Sequence, residues 1–336
     1  MRMPADTRRP AILAAACLAG ILLLAAASLA VGARPLAAAT VWQALTAFDA
    51  GDSEHLLLRH LRVPRTLLAL LAGGALGAAG ALMQTLTRNP LADPGLLGVT
   101  AGAAAAIVAA VTWAGAYGPA GQMAAGFCGA ALAGIAVYLI GGLHRGHDPL
   151  RLVLAGAALS AVLFALTQII TLNSDDRVFD QFRHWATGSL QGRGMEVLAA
   201  VLPAMLLGWL AALALASPLD ALALGRDLGK SLGARPQRVW LGAALAIVLL
   251  AGAATAAAGP LAFIGLAAPH LVRHACGPDH RRLIPCAALV GACLLLAADT
   301  LGRIIIHPAE AGAGIMAALI GGPVFIALAR RRMGAG

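Results

Sequence analysis

The chain has 336 residues, of which 60% are hydrophobic and 12% charged, with a formal net charge of +9. A soluble chain of this length carries about twice that charged fraction, so a water-soluble globular protein is excluded. The basic residues flank apolar segments instead of forming an extended patch, which sets nucleic acid aside as a partner.

Ten apolar segments predict ten transmembrane helices, at 11–31, 66–86, 98–117, 121–143, 152–172, 195–216, 238–258, 260–275, 284–302 and 313–330. About 20 apolar residues cross a hydrocarbon core of about 30 Å. Long uniform runs without strict alternation favour helices over a barrel. The expected fold class is therefore all-α integral membrane, with no soluble domain between spans and a longest connection at 32–65. With the N-terminus inside, the inner loops and termini collect 16 of the 24 basic residues, Arg2, Arg88, Arg145, Lys230 and Arg273 among them. By the positive-inside rule both termini are cytoplasmic, with 1–10 as a short inner segment.

Along the chain, Arg8 and Arg9, the first apolar run and Ala37-Ala38-Ala39 imitate a cleavable signal peptide. The run is longer than the roughly 7–15 residues of a signal core, which predicts a retained anchor. Cys17, Cys128, Cys276, Cys286 and Cys293 form no CxxC pair and read as small apolar packing residues. Arg59, Arg62 and Arg65 precede the second span and Arg303 follows the ninth, all on the expected outer side. Arginines snorkel at helix ends, but their position against the charge bias asks for a further reason.

Asn89-Pro90 and Asp93-Pro94-Gly95 then interrupt the inner side between spans two and three, and Gly259-Pro260 the outer side between spans seven and eight. Proline removes a backbone donor and glycine relaxes the turn, so re-entrant or sharply kinked backbone is expected at both. Pro90-Leu-Ala-Asp-Pro-Gly-Leu matches Pro260-Leu-Ala-Phe-Ile-Gly-Leu at five of seven positions, 170 residues apart. Five spans separate the copies, which suits an inverted repeat. Between them, the loop 173–193 carries Asp175, Asp176 and Asp180, then Trp185-Ala-Thr-Gly-Ser-Leu, with Trp185 expected as an interfacial anchor.

The segment 217–237 contains Gly225-Arg-Asp-Leu-Gly-Lys-Ser, one residue short of a phosphate loop and without a preceding strand. It reads instead as a helical hairpin: Ser217-Pro218 stops the sixth span, Asp220 caps a short helix, Gly225 ends it, and a second helix runs to Gly233. Its leucines, Leu219, Leu222, Leu224, Leu228 and Leu232, lie amid Asp227 and Lys230, a pattern that could also rest on a membrane surface. Finally, Gly259-Pro-Leu-Ala-Phe263-Ile-Gly265-Leu-Ala-Ala-Pro269-His270-Leu-Val-Arg273 opens the eighth span. His270, His274 and Cys276 could suggest a metal site, but three ligands within seven residues of one helix end close a tetrahedron poorly. Structural histidines at a helix C-terminus are expected there, and no metal.

Taken in order from about residue 59 to 330, these motifs resemble the FecCD/BtuC-type permeases, membrane subunits of ABC importers for iron chelates and cobalamin. The resemblance implies a BtuC-like type II importer permease with an inverted repeat, spans two to five echoed by seven to ten. It implies that Leu219, Asp220, Leu222, Leu224, Gly225, Lys230, Leu232 and Gly233 couple to an ATPase subunit. Arg62, Arg65 and Arg303 would receive glutamates of a periplasmic binding protein, suited by the bidentate guanidinium fork. Asn89, Pro90, Asp93, Pro94, Gly95, Gly259, Pro260, Phe263, Gly265, Pro269, His270 and Arg273 would form the helix-break and gating motifs. The chain departs from the family pattern at Pro308-Ala-Glu310-Ala-Gly312, where relatives carry Leu-Pro after the glutamate.

The implied assembly has two permease subunits (a homodimer or close heterodimer), two ATPases that hold ATP and Mg²⁺, and one binding protein. Its cargo is a ferric siderophore, then heme, then cobalamin in order of expectation, carried across a bacterial inner membrane. This chain binds no cofactor and is no enzyme. An ion-driven transporter would need ionisable residues at membrane depth, whereas Asp299 and Glu196 lie near span ends and no lysine lies inside a span. An intramembrane enzyme would need a Ser/His or paired-carboxylate constellation, and none is evident.

Overall fold

Alanine- and leucine-rich runs bounded by glycine and proline fold as helices at every expected span. The computed structural model describes residues 8–142, 149–306 and 309–333. Arg2, Arg145 and Pro308, and with Arg2 most of the expected N-terminal segment, lie outside the described residues.

The helices are α1 (Arg8–Ala30), α2 (Ala38–Thr46), α3 (Ser53–Leu57), α4 (Val63–Leu86), α5 (Val99–Ala114), α6 (Pro119–Ile140), α7 (Pro149–Leu172) and α8 (Asp176–Ala186). They continue as α9 (Met195–Ala214), α10 (Ala216–Ala223), α11 (Arg226–Ser231), α12 (Pro236–Ala258), α13 (Ile264–Cys276), α14 (His280–Ile305) and α15 (Ala313–Met333). Among the described residues, seven helical segments are long and apolar enough to cross a membrane, counting Ser53–Leu86 as one. The third, eighth and tenth expected spans are α5, α13 and α15. α5 and α13 are short, with 16 and 13 residues. The connection 32–65 is not a bare loop: it folds into α2, α3 and a π turn, Leu58–Arg62, that feeds α4.

Three helices make the centre. The apolar windows of the α3–α4 segment, α12 and α14 are 83%, 78% and 72% buried, against 6% for α1 at the rim. α4 packs on α14 and α13 much as α12 packs on α6 and α5, while α5 lies on α6 as α13 lies on α14. α4 and α12 run in opposite senses, and the breaks that follow them, at Pro90 and Pro260, are 170 residues apart. The expected inverted repeat thus takes shape as α4–α7 and α12–α15.

Small residues let the central helices touch through backbone. A Cβ placed on Gly77 would lie 2.2 Å from the Ala287 carbonyl oxygen, and one on Gly80 would lie 1.8 Å from that of Gly265. Backbone atoms cannot rotate away as a side chain can. Gly80→Ala should therefore cost at least the ~1–3 kcal/mol of core overpacking, read as a lower melting temperature in detergent. Gly118→Ala, at a position with no neighbour within 4 Å of the new carbon, should melt as the parent does.

Candidate functional site

Three regions carry the residues singled out above: the hairpin at one end of the bundle, the two breaks within it, and an arginine cluster at the other end. Helix α9 ends at Ala214 and α10 begins at Ala216, with Leu215 as the joint. Ser217-Pro218 therefore sits in the first turn of α10 instead of stopping the span, where proline's missing N–H costs nothing. Asp220 does not cap α10 either. It lies inside that helix, and its Oδ1 accepts hydrogen bonds from the His280 backbone N–H at 3.0 Å and from His280 Nδ1 at 2.5 Å.

Gly225, at φ +115°, and Gly233, at φ +84°, end the two short helices, in conformations that favour glycine. Leu219 and Leu222 are buried and belong to the core. Leu224, Leu228 and Leu232 are 52%, 52% and 61% exposed, a ladder of three leucines at four-residue spacing. Lys230 is exposed beside them and borders a cleft of about 430 Å³ shared with Arg235 and Arg238.

The first break is built from Asx turns. Asn89 Oδ1 accepts the Leu91 N–H at 3.0 Å, Asp93 Oδ1 accepts the Gly95 N–H at 2.8 Å, and Arg88 takes φ +50°. At the second, Gly259 at φ +79° and Phe263 at φ +67° turn the chain between α12 and α13. The breaks enter from opposite ends and meet: Pro94 packs on Gly265, and a cavity of about 100 Å³ lies between Leu76, Asp93, Thr100, Thr255 and Pro260.

Pro269 is buried within α13, and the rings of His270 and His274 meet edge-on with centroids 6.5 Å apart. Arg273 donates to Gln84 Oε1 at 3.1 Å, and Gln84 Nε2 to the Leu266 carbonyl at 3.2 Å, tying α13 to α4. Trp185 is not an exposed interfacial anchor. It is buried and stacked on Phe182, because Gly188 beside it packs against the Pro260 carbonyl and accepts the Gly314 N–H at 2.8 Å.

The arginines differ most from expectation. Arg62, Arg65 and Arg303 are only 6%, 8% and 2% exposed, not an open carboxylate receptor. Arg65 forks onto Asp299 at 2.8 and 3.0 Å and reaches Glu310 at 2.6 Å. Arg303 bonds Asp299 and the Ser28 carbonyl, and Arg62 donates to the carbonyls of Leu29, Ala30 and Arg34. Burial leaves a guanidinium stable only when paired and hydrogen-bonded, and here the pairs are internal, joining the ends of α1, α4 and α14. Arg59 remains exposed, its guanidinium 4.4 Å from the Phe48 ring centroid. Motif reading passed over Ser28, Thr85 and His280. Asp299 carried a usable signal, an acid inside an apolar run four residues before Arg303.

The sequence profile of the FecCD transport family matches residues 17–331. The chain is 46% identical to the ferric enterobactin transport system permease protein FepD of Escherichia coli (strain K12), over 96% of this chain and 97% of that protein. It is 41% identical to the probable siderophore transport system permease protein YfiZ of Bacillus subtilis (strain 168), over 94% and 95% of the two chains. It is 40% identical to the hemin transport system permease protein HmuU of Yersinia pestis, over 93% of each. Its fold is similar to that of a solved inward-facing structure assigned as a metal-chelate type ABC transporter, with a TM-score of 0.82 and 27% identity over 96% of this chain and 99% of that one.

Removing the charge of Asp299 leaves buried Arg303 without a carboxylate and Arg65 with Glu310 alone. Asp299→Asn should cost about 3–5 kcal/mol, seen as loss of folded protein in detergent by size exclusion and thermal melting. Arg59→Ala, which removes an exposed guanidinium from the half-buried Phe48 ring, should shift stability by less than about 0.5 kcal/mol.

Proposed function

The chain belongs to the FecCD transport family, and from that premise we propose that it carries a ferric siderophore inward across a bacterial inner membrane. A multi-pass ABC importer permease, it is a transport subunit, not an enzyme. ATP and Mg²⁺ are bound on separate ATPase subunits. Two copies of this chain line a shared pathway, with both termini on the ATPase side.

The observation that carries the coupling role is the hairpin: three leucines more than half exposed on a basic end of the bundle. An apolar ladder rimmed by Lys230, Arg235 and Arg238 suits a protein partner with an apolar groove and an acidic rim. Gly225 and Gly233 hold the two short helices at the angle that presents it. Leu219, Leu222 and Asp220 act from beneath, fixing the hairpin to the bundle.

On the opposite end, a periplasmic binding protein docks over the arginine cluster. Arg62, Arg65 and Arg303 serve there chiefly by holding three helix ends in register. Arg59 is openly accessible, and the Arg65–Glu310 pair lies near the surface, with side chains 10% and 14% exposed. The paired breaks supply the hinge. Asn89, Pro90, Asp93, Pro94 and Gly95 on one side, and Gly259, Pro260, Phe263, Gly265, Pro269, His270 and Arg273 on the other, join half-helices that can tilt about the shared cavity. The similarity to permeases named for ferric enterobactin, for siderophores and for hemin supports a ferric siderophore as the cargo, with hemin second; cobalamin ranks third.

Uptake into right-side-out vesicles or proteoliposomes, with this chain and an ATPase partner in the membrane, ATP in the lumen and a binding protein outside, tests the reading, with ferric enterobactin, hemin, ferric citrate and cobalamin offered in turn. ATP-dependent uptake of ferric enterobactin is expected. Leu224→Ser/Leu228→Ser/Leu232→Ser should abolish co-purification of the ATPase while the permease stays folded. Uptake that persists without any ATPase would overturn the importer reading.

A further inference from the structure

The hairpin is joined to the centre of the bundle by a chain of three side chains. Asp220 in α10 accepts from both the backbone N–H and Nδ1 of His280, the first residue of α14. His280 Nε2 lies 2.7 Å from Thr85 Oγ1, which in turn lies 2.9 Å from the Ala81 carbonyl oxygen. Beside this chain, Arg281 Nε and Nη2 donate to Ser217 Oγ in α10 at 2.9 and 2.6 Å. His280 is 3% exposed, so it touches no partner itself.

Thr85 stands in the last turn of α4. Directly after it come Arg88 at φ +50° and the Asn89-Pro90 break. A displacement of α10 would therefore reach, through His280, the start of α14 and the last turn of α4 ahead of the break. We propose that His280 is a positioning residue for transport, the link through which ATP-driven motion of the hairpin reaches the break at 87–98. The inference rests on the reading that the hairpin docks on an ATPase. Imidazole suits the role because its two ring nitrogens bond in opposite directions from one rigid plane. A flexible amide or amine would dissipate a small displacement in rotamer changes.

A simple staple holding α14 in place would look similar in a static structure, so the test must read motion. A spin label on Leu91→Cys reports ATP-driven mobility changes at the break, in the full complex of this chain and its ATPase. The parent should show a clear spectral change on ATP binding. His280→Ala and Thr85→Val should each reduce it at least ~5-fold, at the lower edge of typical coupling between sites, with ATPase association retained. The double variant should be no worse than either single one, and Thr85→Ser should restore the parent response.

An unchanged response in Thr85→Val would overturn the proposal, as would a parent that shows no ATP-driven change at position 91. If His280→Ala fails to accumulate, the near-isosteric Thr85→Val decides alone. The serine-substituted leucine ladder separates the two readings. Retained ATPase binding by that variant sinks the docking premise and the link with it. Lost binding there with a normal Thr85→Val response sinks only the link.

Discussion

The close contact between α4 and α14 governs the rest of the molecule. Without side chains at Gly73, Gly77 and Gly291, the two backbones approach until carbonyl oxygens take the place of Cβ atoms. In a bilayer no hydrophobic drive pushes helices together, so such contact has to come from packing and interhelical hydrogen bonds. The seam therefore depends on residues that contribute almost no volume. It brings α13 against α4 through Gly80 and Gly265, and with α13 comes the second break.

Polar groups then clamp the seam at its two ends by different means. At one end Arg65, Arg303 and Asp299 bury charge that is stable only as a mutual set, with Ser28 and Glu310 completing it. At the other, Asp220, His280 and Thr85 supply a hydrogen-bonded path that includes the hairpin. The ionic end resists separation because breaking it exposes unpaired charge to low dielectric. The hairpin end is lighter and partly open to water, with the Asp220 side chain 33% exposed. Between the clamps, the half-helices α5 and α13 meet at a small cavity, irregular backbone enclosed by protein as the bilayer demands.

Much of this was legible in the linear chain. The spans, the breaks at Pro90 and Pro260, the internal repeat and the hairpin glycines all announced themselves through apolar run length and backbone-breaking residues. The readings that changed concern partners. Asp220 looked like a helix cap because capping is the commonest local use of an aspartate after a proline, yet it serves the start of α14, 60 residues away. Trp185 looked like a membrane-interface residue by type and position, yet the packing of Gly188 and Gly314 over the second break buries it. Arg65 looked exposed because its counter-charges, Asp299 and Glu310, are more than 230 residues away in the chain, and Arg62 because its partners are backbone carbonyls at the end of α1 that no motif announces.

Local chemistry explains that division. Hydrophobic length, proline and glycine act on the backbone within a turn or two, so the sequence by itself determined the membrane setting, the order of helices, the places where they break and the family. Pairing depends on which helix faces which, and in a protein with small residues on nearly every face many packings look equally allowed. Only the tertiary structure decided that α4 lies on α14. That single contact turned two surface-looking arginines into a buried ionic clamp and a passed-over histidine into the bridge between the hairpin and the last turn of α4.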